Sequence, residues 1–322
     1  MTDRNPLLDD LGSFPSTMVA LPTLGRFYRP GVLAEGIDPS NIEVGAPTII
    51  DDLGMQDPFK VLSGKALTQL IRRSCRDVLV PESLAKVDVD AILIAARISG
   101  VGSTIDITAK CSNAEHRRDD GTVGPCGNTR PVTVNLLDVL SRMTPCRPPE
   151  DWRVTIEMNS KTQVVQLGPV SNAAVMKAMR SAAIQARDTA AIGDKVTLDD
   201  VEKIQTAAYD TSAIIQVEML VDIVKSVTTS SGAIVTDKET IADYVSRLPR
   251  SIVAGIQELA VARSEEISKY ATARFDCDVC GKSTDIYVAQ DPTGFFSHGS
   301  RAAEPKPRSI SVGKQPRRPT RS

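Results

Sequence analysis

The chain reads as an α+β protein: a short-stranded N-terminal module with a cysteine hairpin, a helical middle and C-terminal part, and a closing Cys-x-x-Cys β-hairpin. Three observations predict this class. Period-two apolar alternation recurs in short segments such as Thr104-Ile-Asp-Ile-Thr-Ala109 and Arg153-Val-Thr-Ile-Glu-Met158. Helical periods dominate from Ser171 to about residue 272. Four cysteines fall in two distant places, Cys111 and Cys126 in one and Cys277 and Cys280 in the other, each pair between strand-like segments.

Taken in order, residues 1–17 are polar and Pro-containing and read as a flexible terminus. A module over 18–150 begins with an extended segment, Met18–Tyr28, running into a Pro/Gly turn. Strand-like fragments follow at Asn41-Ile-Glu-Val44 and Thr48-Ile-Ile50. Leu67, Leu70, Ile71 and Val78 predict a helix from about Gly64 to Leu79, capped by Ser63 and stopped by Pro81. A second helix is expected near Val87–Ile98, ended by Gly100-Val-Gly102. The strand that follows delivers Cys111; beyond Cys126, Pro131–Asn135 resumes an extended pattern, and Leu136–Met143 reads as a short helix.

A second part, 151–272, opens with a hairpin of Arg153–Met158 and Gln163–Leu167, turned by Asn159-Ser-Lys161. Helices are expected over Asn172–Ala191, over Leu198–Val227 with a Thr197-x-x-Asp200 cap, from Thr236-x-x-Glu239 to Leu248, and over 251–272. In the last, Ile252, Ile256, Leu259, Ala260 and Ile267 share one face. Residues 273–298 form the Cys-x-x-Cys hairpin, and 299–322 read as a disordered basic tail.

Composition limits the function. Of 322 residues, 41% are hydrophobic, 24% charged and only 4% aromatic, with a single Trp, so the core must be aliphatic. The opening residues lack a secretory pattern and no apolar run approaches the roughly 20 residues of a membrane span, which predicts a soluble product made in a cytoplasm. Six cysteines in this length favour reduced thiols or metal ligands over a disulfide framework. Cys75 reads as a buried small hydrophobe and Cys146 as a loop residue. The net charge of −2 conceals a tail of +6 over residues 301–322, able to bind nucleic acid or an acidic protein surface, or simply solvated.

Cys277-x-x-Cys280-Gly bends the backbone so that both sulfurs face one ion, and zinc prefers four such ligands in a tetrahedron. Cys111 and Cys126 are the complement, with His116 in the same loop as an alternative ligand and metal-free reduced thiols as the remaining reading. A closed four-ligand site would staple chain segments more than 150 residues apart and leave no position for substrate. Other catalytic signals are poor. His116 and His298 are the only histidines, both in polar loops. Gly281-Lys-Ser-Thr284 lacks the upstream glycine of a phosphate loop, Cys277 standing in its place. No βαβ context marks Cys277-x-x-Cys280 as a redox motif. Asp88, Asp90, Asp199 and Asp200 fall on expected helices, where helix-start charge or a solvated face explains them.

Leu21-Pro-Thr-Leu-Gly-Arg-Phe-Tyr28, then Val87-Asp-Val-Asp-Ala-Ile-Leu-Ile-Ala-Ala-Arg97-Ile-Ser-Gly-Val-Gly102, then the two cysteine elements with the aromatic pair Phe295-Phe296, follow one another in a telling order. From about residue 18 to 298 the chain resembles the baseplate hub subunit family of T4-type contractile-tailed bacteriophages. It departs from that pattern at Cys111–Cys126, where a tighter pair is expected. The resemblance implies a non-enzymatic structural or assembly component of a tail baseplate, made in the host bacterial cytoplasm and located in the virion. Its partners would be other hub or wedge proteins, with tape measure or tail tube proteins as further candidates. The competing readings are a zinc-ribbon nucleic-acid-binding protein using residues 301–322 as an electrostatic arm, and, weakest, a redox or metalloenzyme.

Overall fold

Strand β1 (Ser16–Val19) pairs antiparallel with β2 (Ile42–Gly45), placing Val19 opposite Ile42. The computed structural model describes residues 14–117, 121–190 and 215–288. The expected flexible terminus up to residue 13, the basic tail, His298, Asp199 and Asp200 lie outside them. Within the described residues the architecture is mixed α+β, with small antiparallel sheets among helices.

After β2 the structure departs from expectation. Thr48-Ile-Ile50 begins a helix, α1 (Ile49–Gln56), instead of a strand. The Asp51 carboxylate accepts from the Thr48 N–H at 2.8 Å and from its hydroxyl at 2.7 Å, and this local capping outweighs the β-propensity of two isoleucines. Asp57 caps α2 (Pro58–Leu62) by accepting from Phe59 and Lys60 N–H. Helix α3 (Lys65–Ser74) starts after Gly64, not Ser63, because Gly64 holds φ +73°, which glycine adopts without strain. It ends at Ser74 because Cys75 is extended.

Helix α4 (Lys86–Gly100) is the axis of the first core. Every residue from Val87 to Arg97 is buried, so it is enclosed on all sides rather than laid on a surface. Asp88 and Asp90 are therefore not on a solvated face: they are 0% and 4% exposed. Asp88 is held by donors from the N-terminal motif, the Thr23 N–H at 2.9 Å together with the Thr23 and Tyr28 hydroxyls. Tyr28 in turn accepts from Ala85 N–H at 2.9 Å. Burial pushes the Asp88 carboxyl up to about 6 and Tyr28 upward as well. Asp90 pairs with Lys86, one helical turn earlier.

The first core gathers residues of β1, β2, α1, α3 and α4. It also includes β3 (Thr104–Lys110), β6 (Thr129–Asn135) and α5 (Leu136–Arg142), and, from far along the chain, Ala271, Ala273 and Val288. β3 and β6 pair from Thr104↔Asn135 to Lys110↔Thr129. Between them lies a small ladder of β4 (His116–Arg117) and β5 (Val123–Gly124). Cys75 is buried as expected, and loop residue Cys146 is buried too.

A second core surrounds Trp152. Strands β7 (Arg153–Met158) and β8 (Lys161–Leu167) form the expected hairpin, with Asn159 and Ser160 at positive φ in its turn. They join β9 (Val224–Thr228) and β10 (Ile234–Val235) in one antiparallel sheet, ordered β10-β9-β8-β7. Helix α6 (Asn172–Ala190) leaves that sheet, and α7 (215–223) returns to it. The helix expected up to Val227 thus stops at residue 223, where Val-Lys-Ser-Val-Thr enters the sheet as β9. Helix α8 (Lys238–Arg247) is capped by Asp237, which accepts from Thr240 N–H at 2.8 Å, so the cap is one residue beyond Thr236. Helix α9 (Arg250–Ser268) buries Ile256 and Ala260 against this core. Phe27 meets the Trp152 ring edge-on at 5.6 Å while its neighbour Tyr28 serves the first core, so one motif joins both.

Candidate metal centre

Strands β11 (Thr272–Asp276) and β12 (Ser283–Tyr287) form the closing hairpin, from Thr272↔Tyr287 to Asp276↔Ser283. Phe275, 2% exposed, points inward, and period two places Cys277 on the same side two residues later. The chain then turns: Gly281 N–H donates to Cys277 C=O at 2.8 Å, and Gly281 holds φ +70°. The other half-site is built similarly. Cys111 N–H donates to Asn128 C=O and Cys126 N–H to Asn113 C=O, each at 2.8 Å, and Gly127 after Cys126 holds φ +64°. Each pair of thiols is thus set by backbone hydrogen bonds and followed by a left-handed glycine.

The topology brings the halves together. All four sulfurs lie within 4.8 Å of one another, with Cys111 Sγ to Cys280 Sγ at 3.5 Å and Cys126 Sγ to Cys277 Sγ at 3.8 Å. All four cysteines are free thiols. Four sulfurs placed tetrahedrally about 2.3 Å from a zinc ion are about 3.8 Å apart, which these two separations approach. His116, on β4, is not a member of this group.

The surroundings of Cys277 and Cys280 favour thiolates. The Asn128 side chain donates from Nδ2 to Cys277 Sγ at 3.4 Å and to Asp278 Oδ1 at 2.6 Å. That amide, with the backbone N–H groups of Cys280 and Val279, lowers the Cys277 thiol to about 6. The Lys282 backbone and Asn113 lower Cys280. At Cys111 and Cys126 the backbone of Asn113 and Asn128 acts in the same sense but is outweighed by burial and by the Cys280 and Cys277 thiols, and both are raised, Cys126 to about 12. Neither Asn128 nor Asn113 stands out in the sequence; the position of Asn128, two places beyond Cys126, is the available signal.

Contacts around the thiols close the same seam. The Ser112 and Thr284 hydroxyls lie 3.1 Å apart, and Arg130 stacks over Phe275 at 5.0 Å while donating to Asp276 C=O at 3.1 Å. Ala109, Phe275 and the cysteines form their own apolar cluster. A metal held by these four ligands would have no open position for a substrate.

The fold and site together define a mixed α+β protein in which two distant cysteine pairs meet. The chain belongs to the family described as T4 bacteriophage base plate protein, whose model matches residues 56–297. The match contains Arg97-Ile-Ser-Gly100 and both cysteine elements, while Leu21–Tyr28 precedes it. A search of curated proteins and a search of solved structures each returned no match. Family membership places the protein at the tail baseplate of a phage, in association with other baseplate components. No helix among the described residues is long and apolar enough to cross a membrane.

Proposed function

We propose that the protein is a non-enzymatic structural or assembly component of the hub region of a contractile tail baseplate, and that one zinc ion on Cys111, Cys126, Cys277 and Cys280 staples it. The observation that carries the metal reading is the convergence, at coordination spacing, of four thiols from chain positions up to 169 residues apart. Zinc would supply a tetrahedral cross-link there and no chemistry on a substrate.

The assembly role is supported by the family match and by the surface. Ile49, Ile50 and Leu53 on α1 and Phe59 on α2 are 61–83% exposed on consecutive helices, an apolar surface of the kind that partners cover. Docking on hub or wedge proteins, with tape measure or tail tube proteins as further candidates, uses such a surface. Metal analysis of the purified full chain by inductively coupled plasma mass spectrometry tests the staple: one zinc per chain is expected, lost in Cys280→Ser. A chain free of zinc and other thiophilic metals refutes it. Mass spectrometry of purified virions tests the other part, since a hub component is recovered with the tail; absence would leave an assembly factor that departs before maturation.

A further inference from the structure

We propose that the free edge of β7 pairs with the β7 edge of a second copy, joining two chains through one continuous antiparallel sheet. β7 is an outer strand of the order β10-β9-β8-β7, and only β8 pairs with it. Met158 and Lys161 flank the two-residue turn and so exchange both ladder bonds. Alternation then turns the N–H and C=O groups of Val154 and Ile156 toward β8 and those of Arg153, Thr155 and Glu157 away from it. These outward backbone groups have no hydrogen-bond partner among the described residues.

A bare edge invites another strand, and two other edges of this protein are guarded against it. β10 is only two residues long. In β6, Pro131 stands opposite Thr108, and the bonds from Leu136 N–H to Ser103 C=O and from Cys111 N–H to Asn128 C=O fix the alternation of that ladder. It turns the proline nitrogen, which carries no hydrogen, to the outer side. β7 contains neither a proline nor a bulge.

Self-complementary charge selects a second copy as the occupant. Arg153 and Glu157 are exposed on the solvent face of β7, with Thr155 midway between them. A two-fold axis at Thr155 sets Thr155 against Thr155, and Arg153 against Glu157 of the second copy, all through outward backbone groups. On the other face Val154 meets Ile156, prolonging the apolar side on which Ile156 is buried. Axes at Val154 or Ile156 keep the bonding pattern but bring no opposite charges together. Both charges are available. Arg153 Nε donates to the neutral Gln166 Oε1 at 2.9 Å, and its exposed pair with Glu150 is long, at 3.9 Å. Glu157 has no ion pair among the described residues. The inference rests on neither the baseplate reading nor the metal centre.

The test is sedimentation velocity of the purified full chain, in reductant, across a concentration series. A concentration-dependent dimer is expected. Arg153→Glu and Glu157→Arg each set like charges together and should weaken dimerisation about tenfold. An equimolar mixture of the two variants matches opposite charges again and should recover the wild-type affinity. Thr155→Pro removes an outward N–H, leaves the bonds to β8 in place and should abolish the dimer with the melting temperature close to that of wild type. If that variant does not fold, the charge variants and their mixture decide. A wild-type chain that stays monomeric at every concentration overturns the proposal. So does a dimer that persists in folded Thr155→Pro or in both charge variants, which would put the contact on another surface. A mixture that recovers no affinity rules out this register and overturns the proposal too.

Discussion

Two ties hold distant parts of this chain together, and they are chemically opposite. At Asp88 the N-terminal motif meets the central helix through unlike groups, with an N–H and two hydroxyls turned toward one carboxylate. At the cysteine cluster the chain gathers like groups, four thiols that repel once ionised. The first tie is complete in the protein itself. On the proposed reading, the second is a set of ligands held together by a bound cation. The Cys111 and Cys280 sulfurs stand 3.5 Å apart across 169 residues, a separation that the proposed zinc ion would bridge.

The largest expected effect follows from that contrast. Removing metal with a strong chelator, or replacing Cys280 by Ser, should remove folding free energy on the order of 10 kcal/mol from the seam, less the cost of ordering the ligands. Hydrogen exchange is the readout: amides of β11 and β12 should lose protection while those of β7 and β8 keep it. Equal loss in both regions would mean that the centre supports the whole fold and is not a local staple.

The Asp88 tie should respond differently. Asp88→Ala strands three donors in a fully buried site and is expected to cost about 4 kcal/mol by chemical denaturation, with metal content unchanged. It also carries a pH signature. The folded carboxyl sits near 6, above its unfolded value of 3.8, because burial disfavours the charge. The folded state therefore holds the proton more tightly, so this group's contribution is greatest below the unfolded value and is lost as pH rises through 6. The stability gap between wild type and Asp88→Asn should narrow by about 2 kcal/mol between pH 4.5 and 7.5, groups common to both proteins cancelling. A gap that widens would show the carboxylate to be the favoured form.

How much of each tie could be read in the sequence follows the same contrast. Cysteines are rare and their ligand chemistry is narrow, so Cys111, Cys126, Cys277 and Cys280 could be named as one set although only the topology of β3–β6 and β11–β12 shows how they meet. Aspartate is common and usually solvated, so Asp88 and Asp90 read as helix-start charge or a solvated face; their partners Tyr28 and Tyr287 lie 60 and 197 residues away, beyond the reach of local pattern. The alternating hairpins were legible because period two is a short-range signal. Thr48–Ile50 and Val224–Thr228 were misread where β-branched residues sat beside a cap or at a helix end, and local capping decided the first while sheet pairing decided the second.

A smaller effect separates ligands from their support. Asn128 touches Cys277 but is not in the thiol set, so Asn128→Ala should leave metal stoichiometry intact and weaken affinity by about 10- to 100-fold in a competition titration with a chromogenic chelator. No change would reduce Asn128 to a turn residue bonded to Asp278.

The smallest expected effect joins the two ties. Tyr287 on β12 meets Lys86, whose Nζ also pairs with Asp90 and lies 5.0 Å over the Tyr287 ring. The closing hairpin is thus anchored to α4 by protein groups alone, near one tie, and by the thiols at its other end. Tyr287→Phe keeps the ring and removes the hydroxyl, at a cost of about 1 kcal/mol. With metal bound, the thiol end should hold the hairpin and leave its exchange protection almost unchanged. After chelation the hydroxyl contact carries a larger share, and the same substitution should speed exchange across β11 and β12 about fivefold. Equal effects with and without metal would mean that the two ends act independently, and that the staple locks a hairpin the protein does not otherwise position.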